Sequence, residues 1–513
     1  MRSALVSLLC ALSLLFAASP IAAADSSSSG NDVSVAQTLG DRELTVILRR
    51  VTSVPGPLHV DVITHKGTAA GKIKLGLEPT GVSTSSSDGS ASGTTTDTAV
   101  VTLGAEPGTY SAQLQVKESG PYEVTLNDGQ RTAGIPLIVS KTVTSPAEKA
   151  VYIGFIGAGV LILVTVVVAV RARRGWWTFL PAGGVVACLA VAITGAILSS
   201  TLPLPVTQGG QVDATIDGVK NPYTGVSQQQ SDYSRLPAVL AVKSSSVVAG
   251  TTDVLTLKLT DASTGLPADD VVVHDGALMH LLIVGPSGRL WHLHPIRTAA
   301  GTYQVQLTLP ESGHYAVSAE IARRGGGVQQ LRSATGIDAP GSTTSDAATL
   351  PVGTGARTAS GVRVKLTASS LVAGKSAVLT ASVGDDATLQ PWLGMLGHMI
   401  IVGPVASVTT PAGEATQNAE VWAHSHSMGE VMEDMPGMDM SASTDMASMS
   451  GLTSVNGDST ADETVAAYGP DISFVYTFPT AGYYRIWIQA EKDDTILTVP
   501  YVLHVTDAAG STS

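Results

Sequence analysis

Three histidines occur twice in this chain with one pattern: His280, His292 and His294, then His398, His424 and His426. Each set is a single imidazole followed by a His-x-His pair. In a strand, residues i and i+2 project from the same face. His292 and His294 therefore point one way, and Trp291 and Leu293 point the other. His424 and His426 repeat this, with Trp422 on their face and Ala423 opposite. If the strand that holds His280 pairs with the strand of the His-x-His, a third imidazole joins the first two. The same construction recurs with His398. Such a set on a strand edge is a usable site for Cu(II), Zn(II) or Ni(II), and the residues do not choose among them. His274 and His314 are further candidates.

Soft donors follow the second pair. The segment 421–450 holds seven of the chain's 11 methionines: Met428, Met432, Met435, Met438, Met440, Met446 and Met449. Their neighbours are Glu, Asp, Ser and Gly, so the segment has no apolar partners to fold around. Thioether sulfur suits Cu(I), and imidazole suits Cu(II). A segment offering both is what a protein handling copper in two redox states would carry. A flexible acidic loop with incidental methionines is the plain alternative.

Composition narrows the classes. The formal net charge of -13 argues against nucleic acid and favours cations. No Lys or Arg occurs from Ser376 to Tyr484, the window that contains the methionines. The two cysteines are Cys10, in a leader-like segment, and Cys188, in an apolar stretch. The remaining parts thus offer neither a disulfide nor a thiolate ligand, which excludes a blue-copper centre. Signatures of nucleophilic, phosphate-binding and zinc-protease enzymes are absent, and the chain reads as a non-enzyme.

The elements that position these residues read as mainly β. Residues 1–24 are expected to be a secretory signal, with Arg2, an apolar run and Ala22-Ala23-Ala24. A flexible tail is expected over 25–42 and a first β-sandwich over 43–145, where His59 and His65 read as surface or turn residues. Residues 151–170 and 178–199 carry no charge and are long enough to span a bilayer. Arg171, Arg173 and Arg174 in the connection 171–177 place it in the cytoplasm. Both flanking parts are then extracytoplasmic. A linker follows over 200–235.

The remainder is an internal repeat, with sandwiches expected over 236–339 and 358–507 and a linker over 340–357. "VAG" begins each copy, and "MH" or "GH" before "x-x-IVGP" follows. A Trp with H-x-H comes next, and "P-x-x-G-x-Y" closes. The second copy has a longer loop between Pro404 and Glu420 and the Met-rich insertion at 427–450.

Three resemblances bear on this reading. Gly108, Tyr110, Gly120 and Tyr122 form a hairpin that resembles the end of YtkA-like and FixH-like extracytoplasmic sandwich modules. Met279-His280 with Ile283-Val284 and His292 to Pro295 resembles secreted bacterial sandwich modules of heavy-metal handling. So does Gly397-His398 with Ile401-Val402, His424 and His426. Met279 and Ser427 depart from that pattern. Met435 to Met440 is similar to the Met-rich loops of CopC-type and CopA-type copper-resistance proteins. The resemblances imply copper binding outside the cytoplasm, in the periplasm or at the cell surface.

The expected protein has three Ig-like or cupredoxin-like sandwiches and a two-helix transmembrane hairpin. It binds copper, buffering or delivering Cu(I) and Cu(II). Its ligands are the six histidines with Met428, Met432, Met435, Met438 and Met440. A copper transporter or an oxidase is the expected partner. The alternative is a structural or interaction protein of Ig-like modules with no metal role.

Overall fold

The computed structural model describes residues 32–49, 51–80, 97–139, 146–172, 174–201, 236–243, 247–323, 326–343, 350–427 and 463–507. The expected signal, most of the linker 200–235 and all seven clustered methionines, among them Met428, Met432, Met435, Met438 and Met440, lie outside the described residues. The protein is mostly β. Three two-sheet sandwiches follow the predicted order, with two long apolar helices between the first and the second.

The first sandwich opens with strand Val33–Leu39, in what was expected to be a loose tail. The Ser-rich stretch ends before it; Val35 and Leu39 are buried in one core with Leu44, Val46 and Leu48 of the hairpin partner Arg42–Leu48, and Ala36 is buried against Ala277, Trp392 and Leu393 of the other modules. Burial of these side chains orders a segment that its polar approach made look unstructured. Two four-stranded sheets complete the module.

Helices Pro146–Arg171 and Phe179–Thr201 are long and apolar enough to cross a membrane. They run antiparallel and approach closely at glycine. A Cβ on Gly154 would sit 2.7 Å from the Cys188 carbonyl, and one on Gly195 2.8 Å from that of Ala147. Small residues at such crossings let backbones meet without a hydrophobic drive.

The second and third sandwiches repeat one plan. The turn before the closing strand is pinned by a tyrosine hydroxyl that donates to the carbonyl four residues back. Tyr315 reaches Glu311 at 2.7 Å and Tyr484 reaches Thr480 at 2.8 Å. Tyr122 does the same to Glu118 at 2.8 Å in the first module. This tyrosine corner is the physical content of the repeated G-x-Y ending.

Strand His280–Val284 lies between Leu290–Leu293 and Gly313–Arg323, and strand His398–Val405 lies between Val421–His426 and Gly482–Lys492. Both central strands are buried on both faces over their described cores. Leu281 and Ile283 face their own sandwich, as do Met399 and Ile401. The opposite faces meet each other. Leu282, Val284 and Leu290 of the second module pack with Ile400, Val402, Trp422 and Trp487 of the third. The longer loop of the second copy contains a short helix, Ala412–Gln417, whose Ala412 joins that seam. The Ala412 amide donates to the Pro286 carbonyl at 2.8 Å. An insertion that looked like a tolerated loop is a docking element.

Candidate metal centre

The same strand faces that carry Leu282, Val284, Ile400 and Val402 carry the histidines one step further along. Register places His280 opposite Glu320 and Leu282 opposite His292. In the third module His398 lies opposite Gln489 and His426, with Ile400 opposite His424. Each expected trio therefore forms. The ligand atoms of His280, His292 and His294 lie within 4.8 Å of one another, and so do those of His398, His424 and His426.

His292 and the pair His424 and His426 lie on the outermost strands of their sheets, yet the trios are buried together between the modules. The sheets pack face to face, so the i, i+2 face that looked exposed is covered by its own repeat. Ring centroids of His280 and His424 are 4.9 Å apart, as are those of His292 and His424. One six-imidazole cluster results, with the apolar seam beside it. Trp392 lies edgewise against His292 and His398, with centroids at 5.3 and 5.0 Å.

Outer partners fix which nitrogen of each ring carries the proton. His280 Nε2 donates to the His274 carbonyl at 3.1 Å, so its Nδ1 holds a lone pair. The Gln489 amide nitrogen donates to Thr498 at 2.9 Å, which leaves its oxygen to accept from His292 Nδ1 at 2.8 Å. His292 Nε2 therefore also holds a lone pair. These two lone-pair nitrogens face each other at 3.1 Å. The third module repeats the arrangement. His398 Nε2 donates to the Trp392 carbonyl at 3.1 Å, and His398 Nδ1 faces His424 Nε2 at 3.0 Å. His424 Nδ1 makes no hydrogen bond, and the Glu320 carboxyl stands 3.6 Å from it. Two imidazoles bound to one tetrahedral ion at about 2.05 Å would have nitrogens about 3.3 Å apart. The observed pairs sit close to that separation.

The third member of each trio follows suit. Glu43 of the first module accepts from His294 Nδ1, and the His294 amide donates to Thr38 at 2.8 Å. Asp275 stands 3.6 Å from His426 Nδ1. His294 Nε2 and His426 Nε2 are both buried without a hydrogen-bond partner. A ligating histidine ordinarily gives its other N–H to a carbonyl or carboxylate, which fixes its tautomer. Six rings here have that second contact or face an oxygen.

Burial, first, and the neighbouring imidazoles hold His280, His292, His398 and His424 well below the usual histidine range. Burial lowers His426 as well. These rings are neutral, the form that binds metal. Glu320 is pushed up to about 7 by its burial.

The remaining candidates separate. His274 pairs with Asp275 at 2.8 Å beside the cluster. His314 bonds Asp338 at 2.7 Å and Gln417 at 2.9 Å, a contact between modules and not a ligand position. His59 is exposed, as expected. His65 is not a surface residue: it is buried against Glu491 of the third module, Nδ1 to Oε1 2.7 Å. Its partner is 426 residues away, beyond any local signal. Burial, the largest single effect, lowers its pKa, but the Glu491 hydrogen bond and the charges of Glu491, Glu463 and Glu43 together raise it to about 9.

Five contributors were not foreseen: Glu43, Asp275, Glu320, Trp392 and Gln489. Glu320 and Gln489 follow the corner tyrosines Tyr315 and Tyr484 by five residues in each copy. Likewise His274 and Trp392 each precede the lone histidine of their copy by six. Aligning the copies in full would have shown both positions. Glu43 comes from another module and leaves no such trace.

Residues 418–507 match the family model "Domain of unknown function (DUF8832)". No curated protein matches the chain. Among solved structures, the chain is similar to a tetra-tandem repeat from the extending region of a large adhesion protein. That match is at 10% identity, covers 92% of this chain and 74% of that one, and has a TM-score of 0.15. A Corynebacterium diphtheriae protein described as membrane anchored matches at 10% identity, covering 90% and 92%, with a TM-score of 0.15. The BSP domain of a biofilm-associated protein matches at 8% identity, covering 97% and 70%, with a TM-score of 0.12.

Proposed function

We propose that this protein binds copper outside the cytoplasm, anchored by its two apolar helices, and buffers or delivers the ion. One observation carries the reading. In both repeats two buried imidazole nitrogens face each other near 3 Å with a third imidazole beside them, and in the second module the outer partners leave both as lone pairs. Without a cation between them such nitrogens repel, and an apolar pair would pack better. A metal ion resolves that conflict and takes up the unpartnered Nε2 atoms of His294 and His426.

Copper is favoured over other ions by the company of the histidines. The second trio ends at His426, and Met428 to Met449 follow in the sequence within a window free of Lys and Arg. Imidazoles would hold Cu(II), and thioethers Cu(I). The resemblance to CopC-type and CopA-type loops supports the same ion. An exporter or an oxidase would be the acceptor. The positive-inside rule supports an extracytoplasmic place for all three sandwiches.

The test is the metal content of the full chain in detergent, with Cu(II) and Cu(I) titrated against competitors. Two tight equivalents, lost when His292 and His424 become alanine, are expected. Binding no tighter than that of a generic acidic protein would overturn the reading. That result would leave the second reading, an anchored array of Ig-like modules with a structural or adhesive role. The packing of all three modules against one another favours it. The descriptions of the similar solved structures point the same way without deciding it.

A further inference from the structure

A second donor set borders the histidine cluster, and it exists in one module only. His274, Asp275 and Glu320 each offer one ligand atom, and these lie within 4.8 Å of one another. His274 and Ala277 bridge across a tight turn in which Asp275 has φ 48°. Aspartate tolerates that left-handed conformation better than most residues. Glu320 reaches the same place from the strand that pairs with His280.

The third module has the same turn, with Trp392 and Met395 bridged and Leu393 at φ 54°. It carries Trp392, Leu393 and Gln489 where the second module carries His274, Asp275 and Glu320. All three donors are thus replaced by residues that bind no metal. The set is not a by-product of the duplicated fold.

Two observations point to a ligand. The Glu320 side chain is only 9% exposed and makes no hydrogen bond among the described residues; its neighbour is His424 Nδ1 at 3.6 Å. A carboxyl group held at that depth without a hydrogen-bond partner is poorly satisfied. Exposure also falls in an ordered way. It is 33% at the His274 side chain and 18% at Asp275, then 13% at His426, 9% at Glu320 and 0% at His424. His274 and Asp275 are the most exposed of the five, and Glu320 carries the set inward to His424.

We propose that His274, Asp275 and Glu320 form an intake site for a hydrated divalent transition-metal ion on its way to the His398–His424–His426 trio. The proposal rests on the copper reading and adds a route to it. Carboxylate oxygens are harder donors than imidazole and accept an ion that still keeps water. Asp275 Oδ2 stands between the two sites, 2.8 Å from His274 Nε2 and 3.6 Å from His426 Nδ1. Transfer is plain ligand exchange: water and carboxylate leave as imidazoles enter, and the ion keeps its charge.

The experiment uses the full chain in detergent and copper sulfate as the probe. The variant is His274→Leu. His274 holds His280 through its backbone carbonyl, so its side chain can be removed. Wild type is expected to take a third, weaker equivalent beyond the two in the trios. The variant is expected to keep the two, lose the third, and load roughly tenfold or more slowly. The single Glu320→Gln chain should also lose the third equivalent, and the third-module trio should weaken with it because Glu320 faces His424. A chain with His292→Ala and His424→Ala should keep the weak equivalent, which separates this site from the trios. Absence of a weak equivalent in wild type, or an unchanged loading rate in the variant, overturns the proposal. Absence of the tight equivalents from wild type, with the weak one present, would overturn the copper reading instead.

Discussion

His280 Nδ1 and His292 Nε2 lie 3.1 Å apart, and the partners on the far side of each ring leave both as lone pairs. Two acceptors held face to face in a buried seam are unstable alone. On the copper reading, the arrangement is a coordination shell awaiting its ion.

Ligand binding should therefore stabilise the chain. An ion that binds the folded state only, at a hundred times its Kd, adds about 2.7 kcal/mol. Saturating Cu(II) is expected to raise the melting temperature. A His292→Phe, His424→Phe chain is expected to show no such rise. An identical shift in that variant would place the ion elsewhere.

Gln489 should control affinity at a site in the other module. It belongs to the third sandwich yet sets the tautomer of His292 in the second. Gln489→Leu is expected to weaken the tight site of the second module by about 10- to 100-fold, as loss of an outer hydrogen bond to a ligand does. The site of the third module should change less. Competitive titration of Gln489→Leu in His292→Ala and His424→Ala backgrounds separates the two.

The apolar half of the seam should hold the cluster closed. Trp487 is buried there, and its indole donates to the Gly288 carbonyl across the modules at 2.8 Å. Trp487→Ala is expected to cost about 3–5 kcal/mol in denaturant unfolding. Hydrogen exchange at His292 to His294 should rise with it. Unchanged protection there would mean that the imidazoles hold the seam without Trp487.

The contact between the first and third modules should weaken in alkali. The His65 pKa is raised from 6.5 to about 9, chiefly because Glu491 offsets the effect of burial. A raised pKa means that the folded state holds the proton more tightly. Its stabilising contribution is then complete below pH 6.5 and is lost as pH rises through 9. Stability measured from pH 6 to 10 should fall over that window, and His65→Leu should flatten the fall. A variant that keeps the full slope would assign it to another group.

Strand periodicity and the internal repeat alone determined a good deal. They settled the β modules, the two apolar helices, the six imidazoles and their grouping in threes. Each of these depends on residues near in sequence, or on a pattern written twice. Val33–Leu39 was lost to the polar stretch before it, because its order comes from a hairpin partner and not from composition.

Only the tertiary structure decided that the two trios are one buried cluster. Period two tells which residues share a strand face and says nothing of what covers that face. Leu282 and His292, Ile400 and His424 sit on faces that any reading of one module would leave to solvent. The cover is the repeat itself, docked through Trp487 and the Ala412–Gln417 helix. Glu43, Gln489 and Glu320 reach the rings across boundaries or through strand register. Their roles come from long-range packing, which no local pattern encodes.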